Sequence, residues 1–173
     1  RICRLINGRL WSGEKGFYFD YNTKRRVQSD IYAVSGFLPL ICGAPSAEQA
    51  EKLVAHMKNP DTFGTPLRIP SIAKCNGEYY SKDMWRGPVW ISTNWRIIHG
   101  LNRYGFIAEA KRRACETMEE IEKFYTKYGT FFEFYDDRKE VDPPKLLRKG
   151  RNSPETSPYH QAFFDYGWTA TLY

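Results

Sequence analysis

Apolar residues recur along this chain mostly at helical spacing, and long segments mixing glycine, proline, polar and aromatic residues separate the recurrences. Ile2, Leu5, Ile6 and Leu10 share one face of a short opening helix. Ser46 and Gln49 have the form of a capping box, in which each side chain satisfies a backbone donor of the other. Ala50, Leu53, Val54 and Met57 then make a buried stripe, and Pro60 ends that helix. Pro88 suits a first helical turn, where its missing N–H is no loss. Ile91, Trp95, Ile98, Leu101 and Tyr104 follow as the apolar face, and Gly105 stops the helix. The next helix runs from about Ile107, with Ala110, Ala114, Met118, Ile121 and Tyr125 on its apolar side, and closes at Gly129. Its outer face carries Glu109–Arg113 and Glu119–Lys123 at the favourable i,i+4 spacing.

Two further helical stretches are expected over 31–41, bent at Pro39, and over 161–172. The intervening segments 16–27, 61–84 and 130–158 are long, with short strands expected near Phe17–Tyr21 and Thr130–Tyr135. Loops of this length in a helical domain are either disordered or functional, and these are too aromatic for disorder. The pattern therefore predicts paired helices as a scaffold, with ordered loops at one end forming a site.

The chain has 173 residues, enough for one domain with a core. Aromatic residues reach 16%, and flat rings edged with polar atoms suit sugars and bases as well as cores. The net charge is +6, which raises nucleic-acid binding, but most basic residues alternate with acids as on a solvated surface. The densest basic cluster is Lys145, Arg148, Lys149 and Arg151, in a segment expected to be an exposed loop. No nucleic-acid partner is therefore expected.

The four cysteines, Cys3, Cys42, Cys75 and Cys115, are widely spaced. Cys42 and Cys115 fall among apolar helical positions and read as buried free thiols, which favours a reducing, cytoplasmic compartment. With His56, His99 and His160 no zinc spacing emerges, so neither metal nor cofactor is expected. There is no apolar run long enough for a membrane partner and no signal peptide. Arg1 and the apolar stretch to Tyr173 read as cut ends of something longer.

Three constellations can carry chemistry. In the first, Trp85 and Arg86 stand just before the helix of Pro88, with Trp90 and Asn94 beyond. Trp offers a stacking face to sugar C–H groups and Arg a rigid fork of donors, although Arg86 can equally satisfy helix carbonyls. In the second, Glu133 lies between Phe132 and Phe134, followed by Tyr135, Asp136 and Asp137. A carboxylate among rings can be tuned as an acid or a base, although the same alternation also fits a half-exposed strand. The third, from Pro158 to Trp168, brings His160, Gln161 and Asp165 to the start of the final helix. A lone His160 reads as structural, and Asp165 as stabilising a first helical turn.

The run FGTPLRIPSIAKCNGEYYSKDMWRGPVWISTNWRIIHGLNRYG resembles the corresponding run of glycoside hydrolases of the processing α-glucosidase and mannosylglycerate hydrolase type, with trehalases more distant. GFYFDYN, FLPLICGAPSAEQAEKLVAHM, FEFYDD and YGWTATLY fall in the expected order around it, so the resemblance covers nearly the whole chain. It implies an all-α fold, the C-terminal half of an (α/α)6 barrel, in one domain over residues 1–173 truncated at both ends. It also implies inverting hydrolysis of an α-linked glucoside or mannoside, with Glu133 at the position of the general base. Trp85, Arg86, Trp90, Asn94, Tyr135, Gln161 and Trp168 are the expected substrate-binding residues. The family's general acid, an Asp, lies upstream of the segment that GFYFDYN matches and has no counterpart here. The expected partners are thus a carbohydrate substrate and the remainder of the barrel. A sugar-binding or scaffold protein of the same fold, without catalysis, is the alternative.

Overall fold

Helix α3 (Ala47–Lys58) starts where its sequence directs. Ser46 Oγ accepts from the Gln49 N–H at 3.2 Å while Gln49 Oε1 accepts from the Ser46 N–H at 2.8 Å, completing the capping box. Its buried positions are Ala50, Leu53, Val54 and Met57, and Asn59 caps it one residue before Pro60. The computed structural model describes residues 1–148 and 161–173; Lys149, Arg151 and His160 lie outside them.

Before α3 come α1 (Ile2–Arg9) and two small antiparallel hairpins, β1 (Trp11–Ser12) with β2 (Phe17–Tyr18) and β3 (Tyr21–Asn22) with β4 (Val27–Gln28). Asn22 Oδ1 accepts from the N–H groups of Lys24 and Arg25, an arrangement that turns the second hairpin. Only Ile6 and Leu10 of the opening apolar face pack against the core, and α1 itself has no fully buried residue.

The expected helix over 31–41 is instead a 3-10 turn, Val34–Phe37, and a short α2 (Pro39–Cys42). Pro39 has no N–H to continue a helix, so it begins a new one at the position that tolerates it. α2 packs against α4 (Ile91–Arg103), and α4 against α5 (Ile107–Tyr128) and α6 (Gly167–Leu172). Gly105 and Gly129 end α4 and α5 with positive φ, 78° and 69°.

Several expectations need correction. α4 starts at Ile91 with Trp90 as its cap, so Pro88 precedes the first turn. Val89 is held extended by two backbone hydrogen bonds with Tyr135, which is also the one trace of the strand expected over 130–135. The buried face of α4 is Ile91, Asn94, Ile97, Gly100 and Leu101, turned from the expected stripe so that Trp95 is partly exposed. On α5, Met118 and Tyr125 are partly exposed, whereas Glu109, Arg113, Thr117 and Glu120 are buried. The Glu109–Arg113 pair, 3.1 Å, thus faces inward, joined by Glu116 and Arg68, and Lys123 pairs with Glu120 rather than Glu119. A buried cation can occupy a helix face only with such partners, which apolar periodicity does not register. Cys42 and Cys115 are exposed, and no disulfide links Cys3, Cys42, Cys75 and Cys115.

The last helix is shorter than expected because residues 161–166 spend their backbone groups elsewhere. The Ala162 N–H donates to Leu146 O, Phe163 O accepts from the Glu133 N–H, and the Tyr166 N–H donates to Phe131 O. Asp165 has φ 53° and exchanges hydrogen bonds with Thr130 rather than capping a helix turn.

The largest core joins Phe17, Phe37, Phe63, Leu53, Met57 and Leu101 with their neighbours; each such side chain stabilises the fold by roughly 1.5–3 kcal/mol on burial. A second cluster (Leu67, Val89, Ile121, Phe124, Phe132, Tyr135) and a third (Trp90, Phe134, Leu146, Ala162) lie around the segment after α5. Among the described residues no helix is long and apolar enough to cross a membrane.

Candidate active site

Gly129 turns the chain at the end of α5, and residues 132–137 then run through the interior, all buried. Their rings go to opposite sides: Phe132 and Tyr135 into the second cluster, Phe134 into the third against Trp90. Between them Glu133 is 3% exposed. Its Oε2 accepts from Arg148 Nε at 3.0 Å and from the Phe163 N–H at 3.4 Å. Its own N–H donates to Phe163 O at 2.9 Å, so carboxylate and backbone are tied to the same neighbour. The Arg148 guanidinium lies 4.0 Å from the Phe163 ring centre. Tyr166 stands near the pair. Burial pushes its hydroxyl up, the Glu133 carboxylate adds to that shift, and Arg148 opposes it.

The two acids that follow differ. Asp136 Oδ2 accepts from Lys82 Nζ and from the N–H groups of Glu140 and Val141, and its Oδ1 from the Arg138 N–H. Asp137 accepts from the Tyr80 hydroxyl at 2.5 Å through Oδ2, while its buried Oδ1 has no partner among the described residues. Burial pushes the Asp137 carboxyl up to about 6, against the lowering effect of the Tyr80 hydrogen bond.

Trp90, which is buried, donates from Nε1 to Met84 O and stacks on Trp85 with ring centres 3.9 Å apart and planes 4° off parallel. Trp85 is 43% exposed, so Trp85, Trp90 and Phe134 form a row of rings from the surface to the residue beside Glu133. Gln161 pairs with Leu147 next to Arg148, in the strip that also carries Phe163. These residues and Glu133 come together around the third cluster.

The other expected site residues go elsewhere. Arg86 donates to the carbonyls of Glu78 and Tyr79, closing the 3-10 turn Lys74–Tyr79. Asn94 is buried between α4 and α5, donating to Thr117 Oγ1 at 3.3 Å. Tyr135 is fully buried, its hydroxyl accepting from the Phe132 N–H, and burial lifts that hydroxyl to about 12. Trp168 is 60% exposed, its ring 5.9 Å from that of Tyr166. Sequence reasoning missed Arg148 and Phe163 as neighbours of Glu133, placing Arg148 in an exposed basic loop; its side chain is 20% exposed. No local pattern marks Arg148, because the contact joins segments separate in sequence. Among the described residues no group of His, Cys, Asp or Glu side chains can hold a metal ion.

Comparison with known proteins bears on the family and the fold. A mannosylglycerate hydrolase of Rubrobacter radiotolerans is 31% identical over 139 residues, covering 79% of this chain and 30% of that protein. The crystal structure of the GH63 mannosylglycerate hydrolase of Thermus thermophilus in complex with glucose superposes with a TM-score of 0.65 at 31% identity, over 74% of this chain and 31% of that one. Neutral trehalase Nth1 of Saccharomyces cerevisiae gives 0.67 at 25% identity, over 78% and 25%. The chain thus spans about a third or less of the relatives it matches, and its helices correspond to part of their (α/α)6 barrel. Residues 1–153 match the profile of the mannosylglycerate hydrolase MGH1-like glycoside hydrolase domain, and the chain belongs to that family.

Proposed function

We propose that these residues form part of a glycoside hydrolase that cleaves an α-linked glucoside or mannoside with inversion, Glu133 acting as the general base. The observation that carries this reading is the setting of Glu133: a buried carboxylate, oriented through one oxygen, beside a row of rings that reaches the surface. In an inverting reaction a carboxylate takes a proton from the attacking water while an acid on the other side of the sugar protonates the leaving oxygen. Glu133 supplies the first function, and an Asp outside this chain supplies the second. Trp85 provides the exposed ring face against which a sugar stacks, Trp90 backs it from within, and Gln161 and Trp168 lie nearer the rim. Arg86, Asn94 and Tyr135 make their side-chain contacts within the fold, away from that wall.

The substrate class rests on the relatives, which are named for mannosylglycerate and for trehalose. The remaining barrel is the partner that would cover Trp95, Met118 and Leu172, which line an apolar groove between α4, α5 and α6. Four unpaired cysteines fit a reducing compartment.

The test is made on the protein carrying these residues together with the upstream segment. A panel containing mannosylglycerate and trehalose is incubated, and the anomeric form of the first released sugar is followed by NMR. Initial release of the β-anomer from an α-glycoside is expected. Initial release of the α-anomer alone would rule out inversion (trehalose, whose leaving glucose keeps its α configuration, gives both anomers under inversion), and sugar binding without turnover would favour a binding protein of the same fold.

A further inference from the structure

We propose that Arg148 is the positioning residue for Glu133, fixing the carboxylate through Oε2 and so setting the direction in which its other oxygen meets water. This inference rests on the assignment of Glu133 as base and names how that base is oriented.

The terminal torsion of a glutamate is soft, so burial alone does not aim its carboxylate. Two donors converge on Glu133 Oε2, the Phe163 N–H at 3.4 Å and Arg148 Nε at 3.0 Å; the shorter one is charge-assisted and therefore the stronger. Arg148 is itself constrained. Its guanidinium rests on the Phe163 ring at 4.0 Å. The preceding residues are pinned from both sides, Leu147 O accepting from the Met84 N–H and Leu146 O from the Ala162 N–H. The segment from Asp83 to Met84, adjoining Trp85, and the segment from Gln161 to Phe163 thus meet on the residues that carry Arg148. Among the described residues Glu133 is the one acid that Arg148 reaches.

The chemistry suits this division. In the attack one water proton goes to Glu133 and the water oxygen bonds to the anomeric carbon as the glycosidic C–O bond breaks, the leaving oxygen taking its proton from the acid outside this chain. Arg148 keeps its proton throughout, since a guanidinium does not act as a base at neutral pH. It contributes direction, and a rigid planar fork supplies direction better than the flexible ammonium of a lysine.

The experiment uses the full-length protein with mannosylglycerate and trehalose as probes. Arg148→Met keeps the apolar stem and removes the fork. A kcat lower by about 10²-fold is expected, the scale on which misplacing a reacting group acts. KM should stay within about threefold, since binding is left in place. Arg148→Lys, which leaves a cation beside the buried carboxylate and guards against simple unfolding, is expected to recover part of the loss. The double variant Glu133→Gln/Arg148→Met should turn over no more slowly than Glu133→Gln alone, because with no base there is nothing to aim. Unchanged kcat in both Arg148 variants would overturn the proposal. So would losses that multiply in the double variant, which would mark a structural role. Near-full activity in Glu133→Gln would instead remove the base assignment beneath it.

Discussion

Asp136 and Asp137 are adjacent and both buried, yet among the described residues only Asp136 finds donors for both oxygens. Asp136 collects donors on both oxygens, whereas Asp137 has Tyr80 on Oδ2 and, among the described residues, no donor on a buried Oδ1. With its carboxyl pushed up to about 6, Asp137 holds its proton more tightly folded than unfolded. The folded state is therefore favoured by this group at low pH, and the benefit is lost as pH rises from about 4 through about 6. Asp137→Asn keeps an acceptor for Tyr80 and removes the charge. Measured by denaturant unfolding, the variant should gain on the wild type by roughly 1–3 kcal/mol between pH 4 and 7. Parallel profiles would show that Asp137 does not titrate in that window. None of this was legible in the sequence, where Glu133, Asp136 and Asp137 look alike as acids among rings. Their partners, Arg148, Lys82 and Tyr80, come from segments that fold against them from elsewhere in the chain.

Helices were easier to read than the faces they bury. Capping chemistry is local, so Ser46, Gln49, Gly105 and Gly129 marked α3, α4 and α5 correctly. Ser46→Ala should lower stability by about 1 kcal/mol in thermal or chemical unfolding, and no change would mean that solvent replaces the cap. Faces depend on neighbours. α4 and α2 approach so closely at Gly100 that a Cβ there would stand 2.6 Å from that of Leu40, a contact no periodicity contains. Gly100→Ala should force the two helices apart and cost about 1–3 kcal/mol despite the better helix propensity of alanine. A variant as stable as the wild type would show that α2 yields freely. The misread face of α5 has the same origin, since Glu109 and Arg113 are buried only because Glu116, Arg68 and Lys58 gather around them.

For the molecule as a whole, the order of motifs carried more than any one of them. WRGPVW, FEFYDD and YGWTATLY lie far apart in sequence. In the fold, Trp90 and Phe134 share a core, while Trp168 meets Tyr166 at its edge. The architecture they imply is that of the barrel relatives, of which this chain spans a third or less. What the sequence could not supply is the strip from Leu146 to Arg148 and its pairing with residues 161–163, because single extended contacts leave no periodic trace. That strip separates a carboxylate merely buried among rings from one held in a defined orientation.

The assignment of Glu133 as base is tested most directly by its amide. In the protein that includes the upstream segment, Glu133→Gln preserves size and acceptance from Arg148 and Phe163 but cannot take a proton from water. Steady-state turnover of the substrate identified on the α-glycoside panel should fall by about 10²–10⁴-fold in kcat, with thermal stability retained. Turnover near that of the wild type would contradict the assignment.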